Sequence, residues 1–391
     1  MPPQTSISVK ENQMRIKGCA TAESTKAYAA HFAQVDGFYK IAQGLTFSSL
    51  GVGSFAPEAY KEENYLYTFK EPIKEAVLNG INHIDTAASY RYNQSEREIG
   101  EALGELLEMG TQRESLIIAS KGGFFPLEYP FPNNPYTWIK ERVIKPNLAQ
   151  ESDIFTDEYC LSPDYLRWSL ERSLENLGLE KLDIFYLQNP EHALGHLTKK
   201  ELLSRLEKVF CAMESWVSEG LVSYFGIASW NGFLNDPTHL EYLSLQEIVN
   251  MAQKITNDSH LKFVQIPYNL AKIQGVGYAN QAVGKEGYYP AFIAAQKLGL
   301  HSITSSSLLR LHLFKRPFSE EFRALCGKEA MSDLQRALQF SRSNPYALSA
   351  LFSTKNADHL LHNMELKMIK PLSKEAYFKL FSTLGRDRDA V

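Results

Sequence analysis

A carboxylate, a phenol and an ammonium group follow two neighbouring apolar runs in the first third of the chain. Asp85 closes one run and Tyr90 follows it, while Lys121 closes the next run. Because a buried carboxylate is costly unless it is paired, we expect Lys121 to neutralise Asp85. The same ammonium would lower the pKa of a neighbouring phenol, since an opposite charge favours the ionised form. Together the three groups would form a proton donor for a carbonyl oxygen whose carbon receives a hydride. The alternative is a purely structural ion pair at a strand end.

The elements that position these groups are short apolar runs that alternate, from residue 44 onward, with longer segments of helical period. Runs that are apolar throughout are typical of parallel strands covered on both faces. The predicted strands cover residues 45–50, 82–85, 116–120, 182–187, 222–228, 263–267, 302–305 and 348–352. The predicted helices cover residues 71–78, 96–108, 163–177, 199–218, 245–254, 289–298, 332–341 and 357–364.

Eight strand–helix units without a break in composition predict an α/β fold, a closed (β/α)8 TIM barrel. The alternative is a doubly wound Rossmann domain, but the first strand–helix turn has only Gly51-Val52-Gly53 where that fold carries GxGxxG. We predict an N-terminal extension over residues 1–43, packed on the barrel, and the barrel with its long loops over residues 44–391.

Three long connections follow the third, fifth and sixth predicted strands, over residues 122–162, 230–241 and 269–287. In a barrel all three lie at the carboxyl ends of the strands, where active sites are built. The apolar segment 124–132 in the first of them predicts a pocket wall, and a proline-stiffened loop packed on the barrel rim is the alternative.

The composition excludes several classes of protein. The 391 residues carry 41 Lys and Arg against 45 Asp and Glu, a net charge of −4, so we expect no nucleic-acid or anionic-membrane partner. The four cysteines lie far apart without a metal-binding spacing, which favours a reducing compartment and no metal site. Without a signal-peptide pattern or a long apolar run, we expect a cytoplasmic protein.

The DTAxxY pattern that begins at Asp85, the Ser-Glu pair that follows it and the Lys-Gly pair at Lys121 resemble the aldo-keto reductase family over roughly residues 44–366. The resemblance implies an NAD(P)H-dependent oxidoreductase that reduces the carbonyl, or oxidises the alcohol, of a small to medium apolar substrate. It assigns Asp85, Tyr90 and Lys121 to the family's catalytic tetrad. Tyr92 is a second candidate for the phenol, because the spacing to the Ser-Glu pair is longer than usual.

The fourth member of that tetrad is a histidine, and Gln188 occupies its position. Glutamine can orient a carbonyl oxygen by donating a hydrogen bond, but it cannot become cationic or relay a proton. Loss of one positioned donor costs on the order of 10²–10³ in rate, so slow reduction would survive. His192 and His196, just beyond, are either substitutes for the lost group or ordinary loop histidines.

The resemblance also implies a nicotinamide dinucleotide, NADPH in preference to NADH. Ala228 and Ser229 replace the family's Ser-Asn pair, and Ser305 replaces its stacking aromatic residue. Serine hydroxyls and amides after the seventh strand could take a pyrophosphate, or only form a tight turn. A helix N-terminus after the eighth strand would offer free amides to the 2′-phosphate, with Lys355 adding charge unless it is merely solvated. The implied nucleotide-binding residues are Ser229, Gln265, Ser305, Ser306, Ser353, Thr354, Lys355, His359 and Asn363.

Two other functions remain open at this stage. The departures at Gln188, Ala228 and Ser305 motivate a barrel repurposed for non-redox chemistry, or a weakly active nucleotide-binding sensor. In each case the partner would be a small molecule, and the protein a monomer or homodimer.

Overall fold

Eight parallel strands close a barrel in the computed structural model, which describes residues 15–33, 35–56, 67–128, 132–315, 317–327 and 330–384. Each strand pairs with the next one in the chain, and the last pairs with the first. The (β/α)8 prediction is confirmed. The strands are β1 (Leu50–Gly53), β2 (His83–Asp85), β3 (Ile117–Gly122), β4 (Leu182–Gln188), β5 (Val222–Ala228), β6 (Leu261–Pro267), β7 (His301–Ser305) and β8 (Ala347–Phe352).

One barrel helix follows each strand, and the apolar faces of these helices cover the outside of the barrel. Their bounds are Lys70–Leu78, Gln94–Glu108, Pro163–Leu177, Lys199–Ser218, Leu245–Ile255, Ala291–Lys297, Asp333–Arg342 and Ala357–Met364. Further helices in the described residues are Ala22–Phe32, Pro135–Ile139, Gln274–Gly277, Glu320–Cys326 and Lys374–Leu384. None of the helices in the described ranges is long and apolar enough to cross a membrane.

The helix Lys199–Ser218 illustrates why the sequence defines these elements. The Thr198 hydroxyl accepts from the Glu201 amide at 3.3 Å, and the Glu201 carboxylate accepts from the Thr198 amide at 2.8 Å. This reciprocal capping box fixes the first turn. Leu202, Leu206 and Val209, spaced by one helical turn, then bury one face against the barrel.

The prediction that residues 45–50 form the first barrel strand is wrong, although residues 45–48 do form a strand. Leu45–Ser48 pairs antiparallel with Tyr39–Ala42, and the barrel strand begins only at Leu50. Gln43 and Gly44 both adopt positive φ, 52° and 76°, which is the backbone of a two-residue hairpin turn. The hairpin brings the ring of Phe47 to 5.9 Å from Phe263, at the amino-terminal end of the barrel. The hairpin crosses the predicted boundary between residues 43 and 44. The division into an N-terminal extension and a barrel domain stays a prediction.

The described part of the N-terminal region packs on the barrel. The Tyr28 hydroxyl donates to the Ile81 carbonyl at 3.0 Å, and the Ala20 amide donates to Asp183 at 2.6 Å. Asp183 is the second residue of β4 and also binds the buried Arg113 at 2.8 Å. The segment before the first barrel strand is therefore held by buried polar contacts as well as by apolar packing.

The long connection after β3 contains Pro135–Ile139 and a short hairpin, Ile154–Phe155 with Tyr159–Cys160. Within the predicted pocket wall, residues 129–131 lie outside the described residues. Phe125 is buried, with its ring 5.0 Å from that of Tyr165. The described part of this segment thus matches the alternative of a loop packed on the barrel rim.

Candidate active site

The barrel mouth is the end formed by the last residues of the strands: Gly53, Asp85, Gly122, Gln188, Ala228, Pro267, Ser305 and Phe352. Asp85 pairs in register with Ala119, so Lys121 lies one pleat further on and points into the same interior. The Lys121 ammonium binds an Asp85 carboxylate oxygen and the Thr86 carbonyl, the latter at 2.8 Å. Only 4% of Asp85 and 2% of Lys121 is exposed. The predicted pair is therefore a buried ion pair at the mouth.

Gln265 joins this pair from the other side of the barrel. Its Nε2 donates to the second carboxylate oxygen of Asp85 at 2.8 Å, a contact that the sequence did not predict. Among the described residues no group donates to Gln265 Oε1. The amide of Gln265 therefore positions Asp85 with one end and leaves an acceptor for a ligand at the other.

Tyr90 lies beside the lysine, with its ring centroid 5.0 Å from Lys121 Nζ and 5.1 Å from the ring of Phe55. Burial raises the pKa of the Tyr90 phenol, and the positive charge of Lys121 offsets this only in part. Lys121 thus lowers the pKa of the phenol as expected, but the net shift is upward because desolvation of the phenolate is the larger effect. Burial would lower the pKa of Lys121, but the negative charge of Asp85 acts to raise it and the net shift is upward, so the ammonium persists.

A left-handed turn separates the two candidate phenols. Arg91, Tyr92 and Asn93 have φ values of 46°, 55° and 68° before the helix begins at Gln94. Arg91 stabilises the turn by binding Glu98 at 2.6 Å. The structure consequently places Tyr90 beside Lys121 and Tyr92 in the turn that follows.

The Ser-Glu pair of the motif has structural contacts. Ser95 donates to the Ser54 carbonyl at 3.0 Å, and the buried Glu96 accepts from Ser120 at 2.6 Å and from Asn176 at 2.8 Å. Since Ser120 directly precedes Lys121, Glu96 fixes the strand end that carries the ammonium.

Gln188 ends β4 in register with Ala228 on β5. Its Oε1 is buried and has no hydrogen-bond partner among the described residues. The same does not hold for its Nε2. The ring of His192 lies 5.3 Å from Phe124, and that of His196 lies 6.0 Å from Phe155. Both histidines pack on aromatic rings of the long loop after β3, as the alternative of ordinary loop histidines predicts.

Glu191 is a site residue that the sequence reasoning missed. Its buried carboxylate accepts the Ser229 hydroxyl at 2.8 Å, so the retained serine at the end of β5 is bound to the loop after β4. The signal in the sequence was the same one that identified Asp85, a carboxylate just beyond a buried strand.

The predicted nucleotide-binding residues of β7 lie in a tight turn at the mouth. The Ser305 carbonyl accepts from the Tyr268 amide at 3.0 Å, and Ser306, at φ 56°, accepts from Asn269 at 2.9 Å through its carbonyl. The next hydroxyl, Ser307 Oγ, is buried without a partner among the described residues. The turn alternative holds for the backbone, and Ser307 provides an open polar atom beside it.

The residues after β8 are already engaged with the protein. Ser353 Oγ donates to the Phe55 carbonyl at 2.9 Å, Thr354 Oγ1 accepts from the Asn356 amide at 3.2 Å, and Lys355 Nζ lies 4.2 Å from the ring of Tyr67. Lys355 is thus not merely solvated, since it makes a cation–π contact.

The helix Ala357–Met364 differs from the expectation of free amides at its N-terminus. The Asn356 side chain caps it and accepts from the amides of Asp358 at 2.7 Å and His359 at 3.2 Å. Asparagine is a favoured N-cap residue, so it occupies the donors that a phosphate would use. Asn363, on the same helix, has a buried Oδ1 without a partner among the described residues.

The sequence pattern described as "Aldo/keto reductase family" matches residues 49–282, more than half of the chain. The chain therefore belongs to the aldo/keto reductase family, and the resemblance drawn from Asp85, Tyr90 and Lys121 is confirmed at the level of the family.

Two curated proteins illustrate the range of its relatives. Glycerol 2-dehydrogenase (NADP(+)) of Hypocrea jecorina is 25% identical over 207 residues, 49% of this chain and 52% of that protein. This chain spans about half the length of curated relatives such as this one. A putative voltage-gated potassium channel subunit beta of Schizosaccharomyces pombe is 22% identical over 356 residues, 88% of this chain and 91% of that protein.

A solved structure shares the fold over most of the chain. The aldo/keto reductase of Klebsiella pneumoniae in complex with NADP and acetate superposes with a TM-score of 0.58 at 15% identity, covering 90% of this chain and 96% of that one. At this identity the likeness concerns the fold.

Proposed function

We propose that this protein is a nicotinamide-dependent oxidoreductase that reduces a carbonyl group, or oxidises the corresponding alcohol, on a small to medium apolar substrate. The observation that carries the proposal is the Lys121 ammonium, buried at the barrel mouth between the Asp85 carboxylate and the Tyr90 ring. Such an arrangement stabilises negative charge on the phenol oxygen in a low-dielectric site. Family membership supports the reaction class, and the name of the Hypocrea relative supports NADP(H) over NAD(H).

In this proposal Tyr90 gives its proton to the carbonyl oxygen. The chemistry that a reduced nicotinamide would supply, when bound, is the hydride for the carbonyl carbon. The proton leaves the phenol as charge develops on the oxygen, and Lys121 stabilises the resulting phenolate. Asp85 holds the Lys121 ammonium, and Gln265 holds the other oxygen of Asp85. A proton from solvent then restores the phenol. Alcohol oxidation uses the same groups in reverse.

Gln188 would orient the substrate. Its Oε1 is buried, and its Nε2 is the atom that can donate a hydrogen bond to a carbonyl oxygen. An uncharged donor stabilises the developing oxyanion less than a histidine that can carry charge, so we expect slow turnover.

The residues at the mouth fit a nicotinamide nucleotide. Gln265 Oε1 and Ser229 would bind the carboxamide, the turn at Ser305 and Ser306 would contact the pyrophosphate, and Lys355 would bind the adenosine end. The buried, unpartnered oxygens of Ser307 and Asn363 support this, because a buried polar atom without a partner is costly unless a ligand or water satisfies it. The remaining contributors in the proposal are Ser353, Thr354 and His359.

A second candidate is a nucleotide-binding sensor with little turnover. The loss of the tetrad histidine at Gln188 favours it, and so does the likeness to a protein named as a channel subunit over 88% of this chain. The two proposals share nucleotide binding and differ only in turnover.

Fluorescence titration with NADPH and NADH, followed by assays with a panel of aldehydes and of glycerol, separates these functions. The proposal expects saturable quenching by NADPH and measurable hydride transfer to at least one carbonyl. Binding without turnover of any substrate in the panel would leave the sensor, and failure of both nucleotides to bind would contradict both.

A further inference from the structure

The carboxylate of Glu191 organises the loop that follows β5. Its Oε1 accepts from the Ser229 hydroxyl at 2.8 Å and from three consecutive backbone amides, those of Trp230, Asn231 and Gly232, at 2.8, 3.2 and 3.4 Å. Successive amides that converge on one anion form a nest. Hydrogen bonds to a charged acceptor are roughly twice as strong as neutral ones. One side chain after β4 thus fixes four residues after β5.

Lys272, a cation, binds the same loop as the Glu191 carboxylate. Its Nζ donates to the Trp230 carbonyl at 3.2 Å and to Asn231 Oδ1 at 2.7 Å, and lies 4.5 Å from the centroid of the Trp230 ring. Burial lowers the pKa of Lys272, while the negative charge of Glu191 acts to raise it. The Trp230 side chain remains 38% exposed, so the loop is fixed while its aromatic surface stays accessible at the mouth.

The loop has a direct connection to the candidate site. Ser229 follows Ala228, which is the register partner of both Gln188 and Gln265. The Ser229 hydroxyl has a single hydrogen, and Glu191 accepts it. Ser229 therefore presents only oxygen lone pairs to a ligand, which suits the amide hydrogens of a carboxamide.

We propose that Glu191 is a positioning residue for nucleotide binding: it sets the donor direction of Ser229 and the position of Trp230. This inference rests on the proposed function. Because Ala228 supplies no polar group at this strand end, Ser229 is the one polar side chain of that pair, and its orientation affects the affinity directly. Glu191 acts through the loop.

A matched control lies at the other end of the barrel. Glu214 accepts from the Ser259 hydroxyl at 2.8 Å and from the His260 amide at 2.9 Å, just before β6 begins. Like Glu191, it binds a serine hydroxyl and a backbone amide, and its second oxygen also lies 2.6 Å from His260 Nδ1. Because Ser259 and His260 precede β6, Glu214 acts at the amino-terminal end of the barrel, away from the mouth. Replacing either carboxylate removes the acceptor of a serine hydroxyl and of at least one backbone amide.

The test compares Glu191→Ala, Glu191→Gln and Glu214→Ala in NADPH titrations, with thermal unfolding of each. We expect Glu191→Ala to weaken NADPH binding about tenfold or more, since donors are left unsatisfied or free to reorient. Glu191→Gln retains an acceptor oxygen, so its NADPH affinity should lie between those of Glu191→Ala and the wild type. If Glu191→Ala fails to fold, Glu191→Gln is compared with the wild type alone and should bind NADPH more weakly. Glu214→Ala should lower the melting temperature and leave the affinity within about twofold.

Equal affinities for wild type and Glu191→Gln at equal Trp230 accessibility, or an equal loss in Glu214→Ala, would overturn the inference. Acrylamide quenching of tryptophan fluorescence measures that accessibility. The contribution of Trp230 is the difference between each protein and the same protein carrying Trp230→Phe. If the wild type binds neither nucleotide, the proposed function fails, and the quenching still decides the loop's dependence on Glu191. Increased quenching in both Glu191 variants supports it, and unchanged quenching contradicts it.

Discussion

The two sides of the barrel mouth are built differently. On the β2–β3 side, Asp85, Lys121 and Tyr90 are packed against one another, and each charge has a partner. On the β4–β5–β7 side, Gln188 and Ser307 carry buried oxygens without partners among the described residues, and Ala228 has no polar group. In the proposed function, the first side supplies the groups for proton transfer. The second contains the groups that would orient the substrate and the nicotinamide, and it carries Gln188 and Ala228, where the resemblance predicts departures from the family's pattern.

This difference separates the proposed proton donor from the proposed substrate and nucleotide contacts. The proposed proton donor, Tyr90, depends on contacts between two successive strands, β2 and β3, and those contacts do not involve Gln188 or Ala228. In the same proposal, substrate and nucleotide affinity would depend on the opposite strands, where Glu191 and Gln265 supply contacts of their own. Substitutions on the two sides should therefore affect different parameters.

Lys121→Met should have the largest effect, because it leaves the Asp85 carboxylate buried without its cation. We expect a loss of about 3–5 kcal/mol in the free energy of unfolding, together with loss of turnover. Urea denaturation and a carbonyl reduction assay measure the two effects. Lys145→Met removes an exposed ion pair with Glu141 and should cost less than about 1 kcal/mol. Similar losses in the two variants would contradict a buried, tightly paired Lys121.

Tyr90→Phe should reduce turnover by about 10²–10⁴ while leaving stability and NADPH affinity nearly unchanged, since only the transferred proton is lost. Tyr92→Phe removes the same atom from the next tyrosine along the turn and should leave turnover unchanged. Single-turnover rates and nucleotide titrations of both variants check this. A larger loss in Tyr92→Phe would assign the proton to that residue.

Gln188→His should restore a donor that can carry charge on the β4 side. We expect carbonyl reduction to accelerate, by up to about 10²-fold if the ring reaches the oxygen. The kcat of the variant with the best substrate of the wild type is the measurement. If the wild type has measurable activity and the kcat of the variant is no higher, this position does not limit the rate.

The pH dependence should follow the raised pKa of Tyr90. The protonated phenol drives reduction, so the reduction rate should stay constant through neutral pH and fall only as the pH passes that pKa. Oxidation requires the phenolate and should rise about tenfold per pH unit below the same value. Profiles of kcat/KM in both directions measure this, and a reduction rate that already falls below neutral pH would contradict it.

Lys355→Met should have the smallest effect, a loss of several-fold in NADPH affinity with little change for NADH, because one exposed cation is removed. Parallel titrations with the two nucleotides provide the comparison. An equal loss for both would mean that Lys355 acts through its contact with Tyr67 and not through charge.

The sequence predicted those parts of the molecule that depend on local signals. Helix Lys199–Ser218 has both ends as expected, because its capping residues and apolar period lie within one segment. Asp85, Lys121 and Tyr90 were identified because they belong to two successive units. The hairpin at Leu45–Ser48 was missed, since an apolar run does not reveal which strand it pairs with.

The contacts that escaped prediction join distant parts of the chain or depend on burial. Gln265 reaches Asp85 across the barrel, and Glu191 binds a loop from another unit, so no spacing indicates either. The lowering effect of Lys121 on the pKa of Tyr90 was predicted, but the larger effect of desolvation was not, because desolvation depends on the packed structure. The hydrogen bond by which the Asn356 side chain caps the last barrel helix was likewise not predicted.

A crystal structure of the protein soaked with NADP⁺ tests the central claim most directly, because it locates the nicotinamide relative to both sides of the mouth. The account predicts the ring between Lys121 and Gln188, with its carboxamide at Gln265 Oε1 and Ser229, and the Tyr90 hydroxyl facing the reactive carbon. A nucleotide bound elsewhere, or a mouth too narrow to admit the ring, would contradict it.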